Sequence, residues 1–300
     1  MAGATGYIGG LLARELVSGE GSVRCLVRDR SRAADLERLG CELAEADVLR
    51  PETLPAALDG VTTAYYLVHS MGRGSGSGFA ERDRAAASNF AAAAREAGVE
   101  RLIYLGGLGE PGSEHLRSRH QTAEILAESG IPLTYFRAAA VIGGGSESFL
   151  VVYHLVKRLP AMITPRWVTT RTQPIAIADV VAFLSAAPGI AATAGREIQI
   201  GGPEVTTYGG MIDALARALD RRPPLRLPVP LLTPYLSSLW IGLVTPVDVG
   251  VARPLIEGLA TETVVTDPSG MDLFEIEAAP IEAAMRAALD EDGDPGASRG

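Results

Sequence analysis

Metal-ligating and redox-active residues are scarce in this sequence. Its two cysteines, Cys25 and Cys41, lie in separate apolar segments, and its four histidines are scattered. No metal-ligand spacing results, and two buried thiols in a reducing compartment are the expectation. A GxSxG turn is absent, so nothing points to a serine-hydrolase elbow. Long apolar runs are missing too. The stretch from Leu225 to Ala260 is broken by Pro228, Pro230, Pro234, Pro246 and Pro254. Its proline-free piece, Tyr235 to Thr245, is far shorter than the ~20 residues a spanning helix needs. With no basic n-region and apolar h-region at the start, a cytoplasmic chain without an integral membrane segment is expected. Positive charge is also short. A formal net charge of −9 repels phosphate backbones, which argues against nucleic acid as a partner.

What is present is the material of a globular enzyme. With 47% hydrophobic residues over 300, the chain can bury a sizeable core. Its first half alternates short β-rich runs with helical patterns, which predicts βαβ units and a parallel sheet. Helices are expected at 8–18, 31–39, 51–58, 79–97 and 114–129, and strands at 23–27, 42–46, 61–69, 102–105 and 133–142. Gly98 suits a helix C-cap and Pro51 a first turn. A Gly/Ser loop covers 71–78. The second half is less regular: helices at 148–159, 178–186, 207–219 and 280–289, an extended stretch at 166–177 and a strand at 197–200. The fold class is therefore α/β, a Rossmann-type doubly wound parallel sheet with a smaller, irregular C-terminal substrate region. Residues 1–147 form the dinucleotide-binding core, 148–289 a substrate-binding region packed on it, and 290–300 an acidic, disordered tail.

Gly3, Gly6 and Gly9 form a GxxGxxG loop leading into a helix. The first glycine makes the tight turn, the second lets backbone approach a pyrophosphate, and the third lets the helix pack on the sheet. The helix N-terminus then offers free N–H groups and a positive dipole end to the phosphates. Thr5, Tyr7 and Ile8 complete this cofactor-binding set. Only Met1 and Ala2 precede Gly3, so a first strand of ordinary length would be truncated by about five residues.

The strand at 23–27 ends Val27-Arg28-Asp29-Arg30, with Arg32 following. Arginine at this place holds a ribose 2′-phosphate, and an acidic residue holds a 2′-hydroxyl. Arg28 comes first, so NADP(H) is favoured, while Asp29 keeps NAD(H) open. Asp47 ends the next strand, beside Val48, and either faces the adenine or forms a turn.

GATGYIGG at 3–10, Leu26-Val27-Arg28, Ala46-Asp47-Val48 and Tyr66-Leu67-Val68-His69-Ser70-Met71 together resemble the atypical short-chain dehydrogenase/reductases. These include the NmrA-like proteins and an accessory subunit of respiratory complex I. Ser118-Arg119-His120, Pro165-Arg166-Trp167 and Gln173-Pro174-Ile175 are similar to a bacterial group of NAD(P)-binding oxidoreductases. The resemblance extends to about Leu289. It implies a dinucleotide cofactor and, in most relatives, a Ser, Tyr and Lys set in which tyrosine is the general acid/base. Here Glu124 aligns with the glutamate after that lysine, placing His120 at the lysine and Leu116 at the tyrosine. The serine strand reads Tyr104-Leu105-Gly106-Gly107-Leu108. All three positions depart from the pattern. Weak proton-shuttle candidates are His69, at a strand end where ligands of open sheets bind and so also a cofactor contact, and His120. Substrate-binding candidates are Arg137, Trp167 and Gln173.

Three functions compete at this stage. The first is an NADPH-dependent reductase of an apolar small molecule, monomeric or homodimeric. The second is a non-catalytic NADP(H)-binding redox sensor or assembly factor. The third, a nucleotide-sugar epimerase, is disfavoured by the missing Tyr and Lys.

Overall fold

A computed structural model describes residues 1–19, 21–68, 79–110, 112–229 and 258–291. The first half forms the expected βαβ series. Helix α1 (Tyr7–Val17) leads to β1 (Arg24–Val27), α2 (Ala34–Arg38), β2 (Glu42–Glu45), α3 (Leu54–Leu58) and β3 (Thr63–Tyr66). Then come α4 (Phe79–Glu96), β4 (Arg101–Gly107), α5 (Glu114–Ala127) and β5 (Leu133–Ala138). All pairings β1–β2, β3–β4, β4–β5 and β5–β10 (β10 being Glu197–Ile200) are parallel.

The place of a first strand is taken by Met1 and Ala2. Ala2 bridges Leu26 on one side and Tyr66 on the other, both in parallel sense. Ala2 N donates to Tyr65 O at 2.9 Å, and Leu26 N donates to Met1 O at 2.9 Å. Two residues thus join the halves of the sheet, giving the order β2-β1-(Ala2)-β3-β4-β5-β10. The direction of the chain reverses outward from this point, which makes it the switch point of a doubly wound sheet.

Strand residues alternate between two buried faces. Along β4, Ile103 and Leu105 pack with Leu12 of α1 and Phe183 of α7 (Ile177–Ala186). Leu102 and Tyr104 pack on the other face with Leu54 and Phe90 from α3 and α4.

The second half builds its own core from α6 (Glu147–Arg158), α8 (Tyr208–Ala218) and α9 (Ile281–Asp290). Phe149, Leu155, Met211, Leu215 and Met285 fill it.

Several expected boundaries change. The helix at 31–39 divides into a 3-10 turn, Arg30–Arg32, and α2, because Asp29 caps the turn through Ser31 N at 2.9 Å. The strand expected at 133–142 breaks after Ala138, and Val141–Ile142 (β6) leaves the main sheet to pair with Ile175–Ala176 (β9). The stretch 166–177 is not continuously extended. It opens with a 3-10 turn at Arg166–Thr169, ahead of Arg171–Thr172 (β8) and β9. Pro165 suits the residue that starts such a turn. Helix α9 reaches Asp290, one residue into the expected tail. The loop at 71–78, His69 and residues 292–300 lie outside the described residues.

Candidate functional site

The glycines of the N-terminal loop act differently from one another. Gly3 has φ +87°, and a Cβ there would lie 2.6 Å from Leu67 O at the end of β3. It is glycine because of backbone sign and close approach together. A Cβ on Gly9 would lie 2.2 Å from Gly3 O, so α1 packs directly on the loop that precedes it. A Cβ on Gly6 would meet only Gly3 O, at 3.3 Å. The space outside Gly6 is open, and Thr5 and Gly6 are exposed. Gly6 is the N-cap of α1 in extended conformation, with no side-chain cap. The first turn of α1 therefore presents N–H groups and its dipole end toward that open space. This cradle fits a dinucleotide pyrophosphate.

At the end of β1, Arg28, Arg30 and Arg32 are exposed. Asp29 is committed elsewhere: its Oδ1 accepts from Ser31 N at 2.9 Å and Ser31 Oγ at 2.6 Å, and these bonds hold its carboxyl below the usual range. Asp47 follows β2, and its Oδ1 accepts from Leu49 N at 3.0 Å in a local turn. Val48 O accepts from Asn89 Nδ2 of α4 at 2.9 Å, which pins this loop. Asn89 escaped sequence reasoning. Its only signal is an amide inside an otherwise Ala-rich helix.

The place of the Ser-Tyr-Lys set lies at the C-terminal end of β4, and the chain's own side chains fill it. A Cβ on Gly106 would sit 2.7 Å from the Tyr135 ring, and one on Gly107 2.7 Å from Leu116 Cδ2. Leu116 is buried. Arg119 donates to Leu105 O at 3.2 Å through Nη1 and to His115 Nε2 at 3.2 Å through Nε. Burial, with Arg119 adding to it, lowers the His115 pKa to about 3, so the ring is neutral.

Arg137 and His120 come together here. Arg137 donates to Glu197 at 2.7 Å, Gly109 O at 2.6 Å and Gly107 O at 3.3 Å, with its Nη2 3.2 Å from His120 Nε2. Its carboxylate partner stands on β10, the neighbouring strand, and not on a helix. His120 also lies edge-on to Tyr135.

Trp167 and Gln173 lie apart from this corner. Gln173 donates to Gly202 O at 2.7 Å and accepts from Val265 N at 3.0 Å, tying two loops. Trp167 is buried edge-on against Tyr208, and both line a small apolar cleft with about 30 Å³ of free volume. Val151, Leu155, Met211 and Ile212 form the other walls, with Ala140 and Ser148 at the side nearest β5. Tyr208, not singled out by sequence, turns its phenol to Thr263 and Thr172 and so shows the cleft its ring. Among the described residues no helix is long and apolar enough to cross a membrane.

Residues 3–158 match the model of a family described as NAD(P)H-binding. Among curated proteins, the photosystem II assembly factor Ycf39 of Cyanophora paradoxa is 28% identical over 182 residues, 60% of this chain and 54% of its own. An NAD(P)H azoreductase of Xenophilus azovorans is 40% identical over 63 residues, 21% of this chain and 22% of its own. The chain spans about half or less of the length of these curated relatives. Among solved structures, the Citrobacter sp. triphenylmethane reductase complexed with NADP(H) superposes with TM-score 0.74 at 18% identity, covering 96% of this chain and 98% of that one. The Escherichia coli NADPH-dependent quinone oxidoreductase complexed with NADPH gives 0.76 at 18%, covering 95% and 97%. At such identities these likenesses speak for the fold. Given a family match over more than half its length and a cradle that fits the cofactor, the chain belongs to the NAD(P)H-binding family, on the fold of the atypical short-chain dehydrogenase/reductases.

Proposed function

We propose that this chain is an NADPH-dependent reductase of an apolar small molecule that works without a Ser-Tyr-Lys proton relay. The observation that carries this reading is a shared segment. Residues 140–148 reach the apolar cleft at Ala140 and Ser148, and between them touch Tyr7 of the dinucleotide loop at Gly143 and Gly145. Cleft and cradle are therefore neighbours through one loop.

The roles follow residue by residue. The N–H groups at Tyr7, Ile8 and Gly9 take the pyrophosphate, with Gly6 leaving it room. Arg28 takes the 2′-phosphate, with Arg30 and Arg32 exposed beside it, while Asp29 holds Ser31 through Oδ1. That choice favours NADPH over NADH. Asp47 and Val48 border the adenine. Trp167, Tyr208 and Met211 exclude water from the apolar body of the acceptor. Bound NADPH supplies a hydride. Among the described residues, Leu116 and a neutral His115 stand beside β4 where the usual tyrosine would be, so that tyrosine's proton relay is not available. His120 Nε2 faces Arg137 Nη2 at 3.2 Å and accepts from it through its lone pair, a place that steadies the guanidinium rather than passing a proton. The acceptor class is accordingly one that needs no enzyme proton as hydride arrives, such as a quinone or an electron-poor dye. Relatives named as quinone, azo and triphenylmethane reductases support that class. Both cysteines are free and buried, which suits the reducing cytoplasm.

The filled corner at β4, together with relatives named as assembly factors, supports a second reading, a non-catalytic NADP(H)-binding sensor or assembly factor. Following NADPH absorbance over a panel of quinones, dyes, aldehydes and enones separates the two. Turnover confined to quinones and dyes is the expected result. Tight NADPH binding with no oxidation on any of them would replace the reductase by the sensor.

A further inference from the structure

A junction closes one side of the cradle. Gly143, Gly144 and Gly145 form a triple-glycine stretch between β6 and α6. A Cβ on Gly143 would lie 2.3 Å from Tyr7 Oη, and one on Gly145 2.4 Å from the Tyr7 ring. The tyrosine thus lies against bare backbone. A Cβ on Gly144 would lie 2.9 Å from Ala288 O near the end of α9. Glu291, just after α9, completes the joint. Tyr7 Oη donates to Glu291 Oε2 at 2.5 Å, and Gly144 N donates to the same oxygen at 2.9 Å.

We propose that Glu291 is a positioning residue for the dinucleotide, acting through Tyr7. The proposal rests on reading Gly3–Gly9 as the pyrophosphate cradle. Tyr7 is the first residue of α1, and Gly6 before it carries no side-chain cap. The glycine before Tyr7 leaves the backbone entry into α1 conformationally permissive. A phenol anchored on a carboxylate, with its ring on the triple-glycine backbone, fixes the residue whose N–H opens the anion site. That preorganisation lowers the ordering cost when the pyrophosphate arrives. Merely holding α9 in place does not require Glu291. Helix α9 is already anchored by Ile281 N on Glu204 at 2.6 Å, by Glu282 on Arg217 at 2.5 Å, and by buried Ile281, Ala284, Met285 and Ala288.

Calorimetric NADPH titrations of the full chain test this, with wild type, Glu291→Ala, Glu291→Gln, Tyr7→Phe and the double variant Tyr7→Phe/Glu291→Ala. Glu291→Ala and Tyr7→Phe should each weaken NADPH by about 5- to 20-fold, a fraction of what one hydrogen bond to a charged group is worth, because only the ordering of Tyr7 is lost. Glu291→Gln still accepts through its amide oxygen and should stay within about twofold. The double variant should be no weaker than Glu291→Ala, which already removes the Tyr7 bond. Melting of the cofactor-free variants should match wild type. Unchanged affinity in Glu291→Ala, a Gln variant as poor as Ala, or additive losses would each overturn the proposal. A Gly6→Val variant that binds NADPH normally would instead remove the cradle reading beneath it.

Discussion

Glycines gather at two places on the C-terminal edge of this sheet, and they serve opposite ends. In the N-terminal loop, a Cβ on Gly6 would meet a single backbone atom, Gly3 O at 3.3 Å, and otherwise face the exposed side of the loop. At the end of β4, the Cβ atoms missing from Gly106 and Gly107 leave space that Tyr135 and Leu116 occupy. The first region is exposed and ready for an anion. The second is packed, at the positions where the short-chain dehydrogenase/reductase pattern has a serine and a tyrosine. A glycine shows that room is needed; only the fold shows whether a ligand or the chain itself takes it.

The contrast breaks most sharply within the loop. Gly9→Val would press a side chain into Gly3 O and displace α1, so both folding and cofactor binding should fail. Gly6→Val would press only on Gly3 O, at 3.3 Å, and should lower the melting temperature far less than Gly9→Val while abolishing binding of either dinucleotide. Melts and calorimetry of the two variants check this. Equal loss of stability in both would mean that Gly6 serves packing as Gly9 does.

A smaller effect sharpens the assignment of the arginines. Arg28→Ala should weaken NADPH by about 1–3 kcal/mol, the scale of a charge-assisted contact, and leave NADH nearly unchanged. Equal losses for both cofactors would take Arg28 off the 2′-phosphate.

The packed edge gives way by less again. Leu116→Tyr introduces the tyrosine of the short-chain dehydrogenase/reductase pattern but drives a ring toward Gly107 and β4. Overpacking of this kind costs about 1–3 kcal/mol. The variant should melt lower and gain no reductase activity toward aldehydes. A stable variant that reduced aldehydes would show that the corner is open after all.

The fold of the N-terminal half was legible in the sequence because each signal there is local. Three glycines at fixed spacing, a short apolar run and an arginine at its end all act within a few residues of one another. Met1 and Ala2 suffice to bridge Leu26 and Tyr66, since β1 and β3 are each held from their outer side as well. The rest depends on distant partners. Arg137 finds Glu197 only because β5 and β10 pair, and Tyr7 finds Glu291 across 284 positions. Trp167 and Tyr208 meet through the packing of a 3-10 turn on α8, which a reading of 166–177 as extended does not foresee. Gln173, named for the substrate, is occupied by Gly202 and Val265.

The smallest predicted effect concerns how dry the edge beside β4 is. His115 stands on α5 next to Leu116, and its Nε2 accepts from Arg119 Nε at 3.2 Å. Burial first, and the Arg119 charge second, lower its pKa from the model-compound value of 6.5 to about 3. The sign follows from proton counting. Between those two values the unfolded chain binds a proton at this histidine and the folded chain does not. Its contribution to stability is fully present above the unfolded value and falls away as pH drops toward the folded one. Linkage bounds the slope at about 1.4 kcal/mol per pH unit, and partial solvent contact of the ring reduces it. A loss of about 1 kcal/mol between roughly pH 6.5 and pH 5 corresponds to about 2–4 °C in a chain of this size. His115→Gln keeps an acceptor for Arg119 but has nothing to protonate. Its melting temperature should therefore fall less than that of wild type over the same range, while the two curves run parallel above about pH 7. Parallel curves throughout would mean that His115 titrates freely in the folded chain. Water would then reach the end of β4, and the difference between an open cradle and a closed catalytic corner would be lost.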